Sequence, residues 1–195
     1  MHRHHLIAVC ALVCCVHPLR AQSRADTTTG FRRGQWAVEF IPGSSFTTVG
    51  VLRFSTPTRA WVLDGSANYS HQTATATGAP DQSANSAGLS ARFGPRWYHA
   101  EYERVVSFVG LGITGNYFGN SQSASSANRD ESWSAGAYGE LGLQYLLTPH
   151  LALGVRGNAL ASRSSSSNTQ NGTTSRTTSY SFGLGSPQVI GAFYF

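Results

Sequence analysis

Apolar and polar residues alternate one by one through most of residues 36–195. A period of two is the pattern of strands with one apolar and one polar face. Trp36, Val38 and Phe40 lie on one face against Ala37 and Glu39 on the other. The clearest run is 61–72, where Trp61, Leu63, Gly65, Ala67 and Tyr69 alternate with Val62, Asp64, Ser66, Asn68 and Ser70. Similar alternation fills 87–98, 105–118, 133–147, 151–162 and 180–195. Residues 46–55 are ambiguous in face, because Val49, Val51, Leu52 and Phe54 put apolar groups on both sides. In the last run the phase slips at Gly185-Ser186-Pro187, which reads as a bulge, since proline cannot complete a central ladder. The pattern therefore predicts eight strands.

The connections alternate in length. Those at 56–59, 99–104 and 148–150 are short, and those at 73–85, 119–132 and 163–178 are long and rich in Ser, Thr, Asn and Gly. The connection at 42–45 breaks this rule by being short where a long one is due. With the strands laid up and down, Trp36, Phe54, Trp61, Trp97, Tyr145, Leu151 and Phe195 fall at one end. Tyr69, Tyr117, Trp133 and Tyr180 fall at the other. Two aromatic belts around an apolar band predict an all-β, up-and-down antiparallel transmembrane β-barrel of eight strands. A soluble barrel has the same period with its apolar face turned inward. The polar face decides between them, because it carries Glu39, Asp64, Arg92, Glu140 and Arg156, and Arg53 is assigned to it as well. An arginine facing lipid at mid-membrane costs about 2–4 kcal/mol, so these charges are expected in the lumen. Glu140 and Arg156 flank the turn at 148–150 at nearly equal distance, which sets them opposite or one pair diagonal, within reach of an ion pair.

Composition adds the address. No stretch reaches the roughly 18 apolar residues of a membrane helix, so a membrane chain of this kind must close as a barrel. Residues 1–21 have a basic head, an apolar core at 6–16 and a small residue at Ala21, the pattern of a secretory signal peptide, with cleavage expected after Ala21 or alternatively Ala25. All cysteines, Cys10, Cys14 and Cys15, lie in that segment, which excludes disulfides and thiol chemistry from the rest. Residues 22–34 read as a short periplasmic arm and 35–195 as the barrel domain. The formal charge of +5 falls to +3 without Arg3 and Arg20, and the scattered arginines form no stripe for nucleic acid. His71, His99 and His150 are not spaced as a metal pair. Gly110-Leu111-Gly112 lacks the lysine and helix start of a phosphate loop, so no cofactor is expected.

The end of the chain, with Gln188, Phe193 and a terminal Phe195, resembles the closing strand of bacterial outer-membrane barrels. It departs from that pattern at Ile190, with glycine one place later at Gly191. Phe108-Val109-Gly110-Leu111-Gly112 resembles a strand of small barrels of the OmpA/OmpX kind. The resemblance implies a monomer in the outer membrane, surrounded by its lipid and read by the barrel assembly machinery through the last strand, with the long loops outside the cell. It implies a structural or surface-interaction protein without enzymatic activity. A narrow porin-like channel is the alternative. A lipid A-modifying enzyme is a remote one, since His71 has no outward serine and carboxylate beside it. If the last strand carries the assembly signal, deleting Phe195 should cost more of the heat-modifiable, assembled form on unboiled gels than shortening 163–178 does.

Overall fold

A computed structural model describes residues 30–43, 47–74, 82–123, 128–170 and 172–195. The signal segment 1–21, most of the arm, Phe46 and the centres of the long connections lie outside the described residues. The strands are β1 (Trp36–Ile41), β2 (Thr48–Thr56), β3 (Arg59–Ala74), β4 (Gln82–Tyr102), β5 (Val105–Ser123), β6 (Asn128–Thr148), β7 (Leu151–Gln170), β8 (Thr173–Leu184) and β9 (Gln188–Tyr194). Each strand from β1 to β7 pairs antiparallel with the next, and β9 joins β7 to β1, which closes the ring. β8 and β9 together make the eighth stave: β9 pairs the lower half of β7 up to Arg156↔Gln188, and β8 pairs its upper half from Ala159↔Leu184. Three residues, Gly185–Pro187, face two on β7. The phase slip in the sequence is therefore a break with one extra residue, placed where proline has no ladder bond to give.

The long connections are a correction to the sequence reading. Residues 119–132 and 163–178 are largely strand, as are the described ends of 73–85: β3–β4, β5–β6 and β7–β8 run on to Ala74 and Gln82, Ser123 and Asn128, and Gln170 and Thr173. β4 likewise continues through His99 to Tyr102. These extensions meet water on both faces, so nothing in them selects an apolar alternation. Cross-strand hydroxyl pairs hold them instead, such as Ser162 with Ser181 at 2.9 Å, Ser164 with Ser179 at 2.8 Å and Thr169 with Thr174 at 2.9 Å. β1, at 6 residues, stops far below β4 and β6, at 21 each. Among the described residues no strand joins β3 to β8 above the short β1–β2 hairpin. Among the described residues β8 pairs only with β7, and its other edge is free.

Pleating sorts the side chains into two sets. Leu63, Ile113, Leu141 and Val155 project outward and are more than half exposed. Ala37, Leu52, Val62, Phe108 and Ile190 project inward and are buried. β2 resolves its ambiguous face with Leu52 and Phe54 inside and Val49, Val51 and Arg53 outside. Arg53 is thus corrected from lumen to outer surface, where its guanidinium stacks on Trp36 at 5.3 Å. Phe54 leaves the belt for the lumen floor. β4 and β5 approach closely at Gly94 and Gly112, where the ladder skips from Phe93↔Ile113 to Arg96↔Gly110. A Cβ on Gly94 would lie 2.7 Å from the Gly112 Cα, backbone that cannot yield. Gly94→Val should therefore lower the unfolding free energy in urea by about 1–3 kcal/mol. Gly157→Val, where a Cβ meets nothing within 4 Å, should leave it unchanged.

Candidate functional site

The pleat of five strands, β1, β3, β4, β6 and β7, delivers a layer of charges to the middle of the lumen. Arg96 of β4 is at its centre and is 0% exposed. Its Nη1 donates to Glu39 Oε1 of β1 at 2.5 Å and its Nε to Glu140 Oε1 of β6 at 2.8 Å. The guanidinium lies 4.3 Å from the centre of the Phe108 ring, a cation–π contact that fixes its plane. Arg156 of β7 donates from Nη1 to Asp64 Oδ2 at 3.1 Å and Glu140 Oε2 at 3.4 Å, and from Nε to Gln188 Oε1 at 2.9 Å. Arg92 pairs with Asp64 and lies over Tyr138 at 5.0 Å. Gln144 extends the chain of bonds, donating to Glu39 Oε1 at 3.1 Å and accepting from the Tyr194 hydroxyl at 2.6 Å.

The layer is balanced: Arg92, Arg96 and Arg156 face Glu39, Asp64 and Glu140. Balance is what permits it, since removing one partner from a buried ion pair leaves a charge stranded at a cost of about 3–5 kcal/mol. Room comes from two of the strands that supply no charge, β2 and β5. A Cβ on Gly110 of β5 would lie 2.7 Å from Glu140 Oε1, and one on Gly50 of β2 would collide with the Asp64 carboxylate. Hydrogen bonding is less complete than charge pairing. Among the described residues Glu39 Oε2, Asp64 Oδ1 and Arg96 Nη2 find no hydrogen-bond partner.

The five charged residues chosen from the sequence all point into the lumen and belong to this one network. Glu140 and Arg156 are one pair diagonal, with Gly142 opposite Arg156. The residue at the centre, Arg96, is absent from that set. The signal for it was the unbroken phase Ser90, Arg92, Gly94, Arg96, Tyr98, obscured by Pro95 and by reading Trp97-Tyr98 as a strand end. The outward aromatics Trp36, Trp61, Tyr69, Trp97, Tyr117, Trp133, Tyr145 and Tyr180 are all exposed on the outer surface. Arg59 stacks between Trp61 at 5.2 Å and Trp97 at 5.7 Å. Gln188 joins the network through Arg156, Phe193 packs edge-on against Phe40 across the β1–β9 seam at 6.2 Å, and the Phe195 backbone exchanges bonds of 3.1 and 3.0 Å with Trp36.

Above the layer inward hydroxyls and amides pair across strands, with Ser66 bonded to Ser90 at 2.6 Å and Asn116 to Ser134 at 3.0 Å. Below it the lumen ends in aromatic rings. Phe31 of the arm, part of a segment without pattern in the sequence, is 6% exposed there. His71 bonds Asn85 at 2.6 Å and Thr73 at 3.2 Å, and among the described residues it meets no carboxylate.

No protein-family model matches the chain, and no curated protein matches it in sequence. Among solved structures it is similar to the outer membrane protein OprG from Pseudomonas aeruginosa, at 12% identity over 86% of this chain and 98% of that one, with a TM-score of 0.56. It is also similar to a major outer membrane protein from Thermus thermophilus, at 12% identity over 83% of this chain and 99% of that one, with a TM-score of 0.55. At that identity the likeness is one of fold, and function has to be argued from the lumen and surface. The chain has the fold of the small outer-membrane β-barrel proteins.

Proposed function

We propose that this protein is an outer-membrane barrel whose lumen is closed at mid-height, and that it acts through its exterior hairpins rather than by conduction or catalysis. The observation that carries this reading is the charged layer, in which Arg96 is fully buried between Glu39 and Glu140. A path for ions has to break those pairs. An apolar outer band between an Arg-Trp belt and a tyrosine-rich belt fits a membrane around the barrel. Outer-membrane lipid is then its solvent. The assembly machinery is its partner through Gln188, Phe193 and Phe195, and the hairpin tips face out of the cell. β8 supports a surface-contact role for a monomer, because a free strand edge in water is a ready partner for another strand.

The purified protein in planar bilayers should give no single-channel steps, and the cellular protein should fractionate with the outer membrane. Steps from the unmodified protein would overturn the closed lumen in favour of a narrow porin-like channel. Glu140→Ala separates the two further. If the layer gates a channel, the variant conducts more. If the layer closes the barrel, the traces stay blank and stability in urea falls by about 3–5 kcal/mol, because Arg96 and Arg156 lose a shared carboxylate.

A further inference from the structure

Beneath the charged layer the wall builds an aromatic box from Phe54 of β2, Tyr98 of β4 and Tyr194 of β9. The box is held from above. The Tyr98 hydroxyl accepts from Arg96 Nη1 at 3.2 Å and the Tyr194 hydroxyl donates to Gln144 at 2.6 Å. The ring that fills it does not belong to the wall. Phe31 sits with its centroid 4.5 Å from Phe54, 5.2 Å from Tyr98 and 4.8 Å from Tyr194, in tilted, edge-on and stacked contacts.

Its attachment is slight. Gly34 N–H donates to the Phe54 carbonyl at 2.8 Å, and among the described residues Arg32 is hydrogen-bonded to Gln35, through its N–H to the Gln35 side chain at 2.9 Å and its carbonyl at 3.1 Å. Among the described residues no backbone bond joins 30–33 to the wall. Gly30 and Gly34 bracket the segment at φ of 73° and 85°, each with open space where a Cβ would lie. Arg32 and Arg33 between them stay exposed. Among the described residues, the grip of 30–33 on the wall is therefore the Phe31 ring, inserted into a box whose walls are fixed by other bonds, with the Gly34 bond at its base.

We propose that this box is a binding site for a single aromatic side chain, that Phe31 is its tethered resident ligand, and that an aromatic residue of another peptide can take its place. The chemistry the site selects is an uncharged planar ring, gripped by two ring faces and an edge. Basic neighbours of that ring are tolerated, since Arg32 and Arg33 remain in solvent while Phe31 is docked. Glu103 and Arg104 lie together at the same mouth, where they line a cavity with Gly30, Phe31 and Leu146, so the mouth itself sets no charge preference. A short tether gives Phe31 an effective concentration on the order of millimolar, so a free competitor must reach that range to displace it. The site lies below the charged layer and stands whether or not the lumen conducts.

The test uses the barrel in detergent micelles with fluorophenylalanine at position 31 and fluorine NMR. Adding the unlabelled peptide Gly-Phe-Arg-Arg-Gly should drain most of the docked resonance into a water-exposed one, while Gly-Ala-Arg-Arg-Gly changes nothing. A docked resonance that ignores saturating peptide, or one that both peptides move alike, overturns the proposal. Phe31→Ala, checked for folding by heat-modifiable migration, should bind the fluorinated peptide saturably, whereas the unmodified barrel should bind it far more weakly. A folded variant that binds none shows that the box does not outlast its resident. A variant that does not fold leaves the decision to the first measurement.

Discussion

Arg96 is the interaction on which the interior depends. A ring of eight staves encloses space only for side chains, and what fills it has to be consistent across strands far apart in sequence. A guanidinium suits that position because its fork of donors serves two carboxylates on different strands while its face rests on an aromatic ring. Arg96 does all three, reaching Glu39, Glu140 and Phe108. Its Tyr98 contact passes the constraint down to the aromatic floor, and Glu140 passes it across to Arg156 and Asp64. Strands that carry no charge contribute by omission, with glycines where Glu140 and Asp64 need space.

The exterior follows a separate logic. Outside the wall the apolar band and its aromatic belts need no partner within the chain, so each outward residue could be assigned from its own strand. Arg53 and Arg59 stack there on tryptophan and Arg163 on Tyr180, where an apolar stem can lie along the ring with its charge at the water. Arg53 shows how local this rule is. It looks like a lumen charge in a strand that is apolar on both sides, yet β2 turns Leu52 and Phe54 inward and leaves Arg53 to Trp36.

Two parts of the chain were illegible for opposite reasons. The hairpin extensions carry no apolar alternation, because both of their faces meet water, so their strand character rests on backbone pairing and hydroxyl ladders that only the register reveals. Phe31 is a lone aromatic in a polar segment, and nothing in its neighbours marks it as buried. Its place is defined by three rings from three different strands.

The sequence by itself determined the all-β class, the eight staves, the outward and inward faces of most of them, and five of the six charges in the lumen layer. Those properties have a period of two and are set within each strand. The tertiary structure decided which charges meet, that Arg96 joins them from 57 residues away from Glu39, and that β8 and β9 share β7 and leave an edge of β8 free. It also decided that the arm ends in the floor of the barrel. Each of these is a contact between segments distant along the chain. Alternation says which way a side chain points, and only closure of the ring says what it meets there.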